Sequence, residues 1–223
     1  MNCIRRFWAV CCRFRHRHGY GIHSPFVFDL VMDVLYDSSR YYDFDRLGKE
    51  RKWLDRAKPG HPCYPQSSDR RLFKLVNRFQ PEVVVEVGTG SGLSMQYMAA
   101  AKRSAWCVTF DRELLPYVTE RLKPSGIEYR KLPDEPGTVL QGFSEIGLLH
   151  IAHTDAYREV FDEAWAHLSE RSLVVAEGIH DSKEKLAWWK SIVADERVGM
   201  TLDLYDMGVV FFDLSRPKQQ FNI

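Results

Sequence analysis

The stretch Val83-Val84-Val85-Glu86-Val87-Gly88-Thr89-Gly90-Ser91-Gly92 runs an apolar strand pattern into three alternating glycines, and a helical pattern opens near Leu93. Glycines at such a junction let the backbone come close to a ligand and present amide N–H groups at a helix start. Nucleotide, dinucleotide and adenosyl ligands all use turns of this kind, so the spacing has to separate them. A dinucleotide fingerprint needs its third glycine or alanine at the position held by Leu93. A P-loop needs Gly-Lys-Ser/Thr at its end, and no lysine follows until Lys102.

Downstream of this loop, strand and helix patterns alternate. Strands are expected over 83–87, 106–110, 127–131, 148–152 and 172–176, several of them continuous apolar runs that suit a parallel sheet covered on both faces. Tyr157, Val160, Phe161, Ala164, Trp165 and Leu168 follow helical spacing, and Asp181 with Glu184 has capping-box spacing before Leu186, Trp189 and Val193. Of Trp188 and Trp189, one indole is expected in the core and the other over an exposed patch or an interface. MTLDLYDMGVVFFDL closes the pattern with two strands around a turn too short for anything but antiparallel neighbours. The expected fold is a Rossmann-like α/β sandwich of seven strands, six parallel and the last antiparallel.

Upstream, Ser24-Pro25 caps an apolar helix over 24–36. Residues 37–69 are polar, and KPGHPCYP reads as an irregular loop. Leu72, Leu75, Val76 and Phe79 share one helical face that ends at Pro81. The chain therefore divides into a helical segment, 1–80, and a ligand-binding domain, 81–223.

Composition narrows the class. The 223 residues are 45% hydrophobic and 27% charged, the balance of a soluble globular protein. Lys and Arg number 31 against 30 acids, a net charge of +1, so the chain as a whole is no polyelectrolyte for nucleic acid. No apolar run approaches the ~20 residues that span a bilayer. The apolar stretch Phe7 to Cys12 is shorter than a secretory core of ~7–15 residues, which points to the cytoplasm. Five cysteines without a C-x-x-C pair read as free thiols in a reducing compartment. The basic arm with Arg5, Arg6, Arg13, Arg15 and Arg17 reads better as a solvated helix than as a nucleic-acid contact, given the neutral total.

Chemistry then enters at three places. Glu86, in the last turn of the first strand, can hold an ammonium group directly or through water. Asp111 falls at the tip of the second strand, placed to accept hydrogen bonds from a ribose diol. An acid for an amine, amides for a carboxylate and an acid for a ribose describe S-adenosylmethionine. With EVGTGSG, the Asp111 strand tip and the terminal antiparallel pair, the chain resembles class I S-adenosylmethionine-dependent methyltransferases. AYREVFDEAWAHLSERSLVVAEGIHDSKEKLAWWKSI is similar to their catechol O-methyltransferase-like branch. HGYGIHSPFVFDLV and GVVFFDL with KQQFNI are similar to a bacterial group that carries an N-terminal His-Ser-Pro-Phe helix. The resemblance implies Glu86, Gly88, Thr89, Gly90, Gly92 and Asp111 as cofactor contacts and a small-molecule acceptor. It also implies residues 24–36 as a lid over the cofactor crevice or a homodimer element.

The sequence departs from that branch at its divalent-cation site. Ile151 stands where an Asp after the fourth strand is expected, and Glu177-Gly178 where Asp-Asn is expected after the fifth. One ligand of three is too few for a hard cation that wants six oxygens, so no magnesium site is expected. His180 is the first candidate for a general base and His153 the second. The reading is a metal-independent methyltransferase acting on oxygen or nitrogen. Its alternative is a methyltransferase-fold protein that binds cofactor or partner without transfer. A nicotinamide oxidoreductase is disfavoured by Leu93.

Overall fold

The computed structural model describes residues 13, 19–57 and 64–223. Most of the basic arm and all the cysteines except the buried Cys107 lie outside them. The expected strands form as the parallel set β1 (Val83–Val87), β2 (Trp106–Asp111), β3 (Glu128–Lys131), β4 (Leu148–Ile151) and β5 (Leu173–Glu177), of which β3, EYRK, is polar and half-exposed. β6 (Met200–Asp203) and β7 (Met207–Phe211) make the closing hairpin, and β7 lies antiparallel between β5 and β6. The order is β3-β2-β1-β4-β5-β7-β6-β8, so the chain reverses its direction of travel between β1 and β4. In such sheets the crevice beyond the strand tips at that reversal receives the ligand.

Period-two alternation splits the core between two faces. Val84, Leu148, Val175 and Val209 point toward α1 (Pro25–Asp29), α3 (Gln66–Phe79), α4 (Leu93–Ala101) and α5 (Pro116–Leu122). Val85, Leu149, Val174 and Val210 point toward α6 (Tyr157–Ala164) and α7 (Lys183–Ala194). No helix among the described residues is long and apolar enough to cross a membrane.

The structure differs from the sequence reading at several points. An eighth strand, β8 (Gln219–Asn222), pairs parallel with β6 at the sheet edge. Its half-exposed, polar QQFN gives no apolar run to read. Residues Tyr42–Ala57 form α2, although the surrounding segment is polar. Only Phe44, Leu47 and Leu54 are buried along its length, a stripe too sparse for periodicity to reveal. α1 continues into a π-helical turn, Leu30–Leu35, and packs on the sheet face beside α3 rather than over the crevice. Its Phe26 meets Phe211 edge-on at 5.5 Å, and Phe211 pairs with Leu173 at the start of β5, the end away from the glycine loop. α7 is capped by Ser182, whose Oγ accepts the Lys185 N–H at 3.0 Å, and not by Asp181. Both its indoles are buried. Trp188 meets Phe161 edge-on, and Trp189 lies against Gly208, where a Cβ would come within 2.5 Å of the ring.

Candidate functional site

The glycine loop is shaped by backbone demands before any ligand is considered. Gly88 has φ +98°, and a Cβ there would stand 3.1 Å from the Ala152 Cβ, so the turn beside β4 needs glycine. Gly92, φ +75°, opens α4 where a Cβ would meet Leu122 at 3.0 Å. The Gly88 N–H donates to Phe110 O at 2.8 Å and the Gly92 N–H to Thr89 O at 2.9 Å. Thr89 is buried, its Oγ1 2.7 Å from that of Thr109, so its side chain ties β1 to β2 instead of facing outward.

Between the tips of β1, β2 and β4 opens a crevice of about 550 Å³, within the range typical of small-molecule sites. Gly88, Gly90, Asp111, His153 and Tyr64 line it. Asp111 accepts the Gly90 N–H on Oδ2 at 3.0 Å and the Arg112 N–H on Oδ1 at 2.8 Å. Arg112 reaches across the mouth to Asp155, with Nη2 2.7 Å from Oδ1. On the opposite wall, His153 stacks on Tyr64 with ring centroids 4.9 Å apart. The His153 backbone N–H donates to Tyr64 Oη at 2.9 Å, and Tyr64 Oη donates to Gly88 O at 3.3 Å. His153 Nδ1 lies 3.3 Å from Asp181 Oδ2. Burial draws the His153 pKa down against the opposing pull of Glu177, which favours a neutral imidazole with a free base nitrogen. Burial likewise pushes the Tyr64 phenol well above its ordinary value.

Glu86 and His180 stand elsewhere. Glu86 is fully buried beneath the loop, on the face of the sheet covered by α3 and α4. It accepts from Ser94 Oγ at 2.5 Å and Thr109 Oγ1 at 2.8 Å, and its Oε2 lies 2.8 Å from His150 Nδ1. It does not line the crevice, which corrects the expectation of a direct ammonium contact. His180 turns toward β6, with Nε2 2.8 Å from Asp203 Oδ2 and its ring stacked on Tyr205 at 4.8 Å. Asp203 is also salt-bridged to Arg13 at 2.7 Å. Burial works against its ionisation, but His180 and Arg13 outweigh that and hold its pKa at about 2. The loop after β5 thus brings Asp181 against His153 and turns His180 toward Asp203. Tyr64 escaped the sequence reading because its irregular loop has no periodicity to mark it.

No protein-family model matches the chain, and neither does any curated protein. Solved structures do. A methyltransferase from Geobacter sulfurreducens superposes with a TM-score of 0.59 at 15% identity over 80% of this chain and 91% of that one. The O-methyltransferase from Bacillus cereus, crystallised with SAH, gives 0.60 at 13% over 79% and 93%. The O-methyltransferase TomG from Streptomyces achromogenes, crystallised with SAM, gives 0.57 at 15% over 83% and 94%. The chain has the Rossmann-like methyltransferase fold. In this methyltransferase fold the crevice sits at the strand-order reversal, where the glycine loop and Asp111 meet.

The positions that resemble the cation site of the catechol-type branch lie side by side at the ends of β4 and β5 but carry unsuitable side chains. Ile151 is buried in the core and offers no lone pair. Glu177 is turned inward, with Oε1 3.7 Å from His150 Nε2, and Gly178 has no side chain. These residues do not fit a family-type divalent site.

Proposed function

We propose that this chain is an S-adenosylmethionine-dependent methyltransferase that acts on an oxygen or nitrogen of a small acceptor without a divalent cation. The observation that carries the reading is one crevice with a glycine-loop amide and a strand-tip carboxylate on one wall and a histidine on the other. Asp111 receives the ribose hydroxyls, exchanging its bond to Gly90 for bonds to the diol. Gly88 and Gly90 let the backbone lie against the methionine part. When bound, the cofactor supplies a methyl group activated by a sulfonium. His153, held through Nδ1 by Asp181 and stacked on Tyr64, takes the acceptor's proton on Nε2 as the new bond to carbon forms and the bond to sulfur breaks. The role of base passes from His180 to His153 because only His153 lines the crevice. The division at residues 80 and 81 belongs to this proposal, with Tyr64 as the point where the helical segment reaches the site.

Transfer of labelled methyl from S-adenosylmethionine to a panel of phenols and amines tests this. Wild type should turn over with chelator present, and His153→Ala should lose about a hundredfold or more in kcat. A second reading, a cofactor-binding protein without transfer, is favoured by the replaced positions Ile151 and Gly178. It predicts binding of the cofactor but no turnover with any acceptor.

A further inference from the structure

Three neighbouring strands carry a charged chain through the interior of the sheet. Glu86 of β1 and His150 of β4 are register partners, joined by the 2.8 Å contact between Oε2 and Nδ1. On the other side His150 Nε2 faces Glu177 of β5 at 3.7 Å. Both atoms of that second contact are buried without a hydrogen-bond partner. All three side chains are essentially excluded from water. Glu86 accepts from two hydroxyls, Ser94 Oγ and Thr109 Oγ1, as well as facing His150. The chain thus sets two acidic side chains against one histidine. Arg51 and Asp69 make a further buried pair, in which burial pushes the Asp69 carboxyl up to about 7.

The Glu86–His150–Glu177 chain lies close under the crevice. The Tyr64 ring meets His150 edge-on at 6.0 Å, while Tyr64 itself lines the crevice. The field of Glu177 reaches both Tyr64 and His153, resisting ionisation of the phenol and favouring protonation of the imidazole. At the mouth, Arg112 and Asp155 offset one another. Buried Lys185 lies in the fields of Asp181 and Glu177 and opposes protonation of His153. Low-dielectric walls lengthen the reach of an interior charge.

We infer that the Glu86–His150–Glu177 chain makes the crevice discriminate between a cofactor with one net positive charge and its neutral demethylated product. Given S-adenosylmethionine in the crevice, as proposed above, the ligand carries a sulfonium, an ammonium and a carboxylate. Loss of the methyl leaves a neutral thioether, so each transfer removes the charge that the buried chain attracts and loosens the product. Charges about 10 Å apart at an effective dielectric of about 20 change affinity about tenfold.

Calorimetric titration with S-adenosylmethionine and with S-adenosylhomocysteine, on wild type and Glu177→Gln, tests this. The variant should lose about tenfold in affinity for the sulfonium ligand and keep its affinity for the thioether within about twofold. A purely structural role for the chain would weaken both ligands alike. An unchanged ratio with both ligands bound overturns the inference and leaves the cofactor reading standing. Absence of binding of either ligand to folded wild type overturns both. If Glu177→Gln does not fold, wild type is titrated with an adenosyl analogue that has a protonated amine in place of the sulfonium. That ligand should bind about tenfold more tightly than the thioether, and equal affinities refute the inference.

Discussion

Raising the pH on the alkaline side of neutrality should weaken the fold by an amount set at His150. The side chain is completely buried, which by itself would lower its pKa, but the carboxylates of Glu177 and Glu86 outweigh burial and raise it from 6.5 to about 9. In the unfolded chain the imidazole titrates near 6.5, so between these values the folded state holds a proton that the unfolded state lacks. Stability from this group is therefore fully present below 6.5 and is lost as the pH rises through about 9. The span of roughly 2.5 units, at about 1.36 kcal/mol each, amounts to about 3 kcal/mol. Urea unfolding in small pH steps, extrapolated to water, measures it. The buried Cys107 thiol, pushed up to about 12 by burial and the Glu86 charge, adds its own loss only above 9.0, where the unfolded thiol ionises. The double variant Glu86→Gln/Glu177→Gln removes both carboxylates, so its imidazole should be neutral throughout and the slope should flatten. A wild-type unfolding free energy that stays level from about pH 6.5 to about pH 9, or an equal fall in the double variant, would refute the reasoning.

Two further outcomes follow from the geometry. Gly92→Ala should destabilise the fold by about 2–5 kcal/mol in urea unfolding, because left-handed backbone costs about 1–2 and contact with Leu122 about 1–3. His180→Ala should leave kcat within about threefold of wild type, since His180 is turned from the crevice, while costing about 1–3 kcal/mol of stability at Asp203.

The parallel strands and the hairpin were legible because both leave simple marks: uninterrupted apolar runs and a turn too short for a crossover. Asp111 was legible for the same reason, since a strand that ends in an acid after the glycine loop puts that acid at the crevice. Glu86 was read as facing a ligand, yet it shares the parity of Val84, which faces α3 and α4 across the core. Strand alternation alone would have predicted a buried carboxylate in need of partners. His180 was ranked ahead of His153 from sequence, whereas the loop around Gly178 turns His180 toward Asp203 and leaves His153 at the crevice. Tyr64 carries no periodic mark in the sequence, and its position depends on the stack with His153, a contact between residues far apart in the chain.

Calorimetric titration of S-adenosylmethionine into the wild-type protein and into Asp111→Ala tests the identity of the crevice most directly. Wild type should bind one equivalent saturably, and the variant should bind at least about tenfold more weakly, from the loss of charge-assisted hydrogen bonds worth roughly 1.5–3 kcal/mol. No heat of binding to folded wild type at millimolar ligand, or equal affinity in the two proteins, would contradict the assignment.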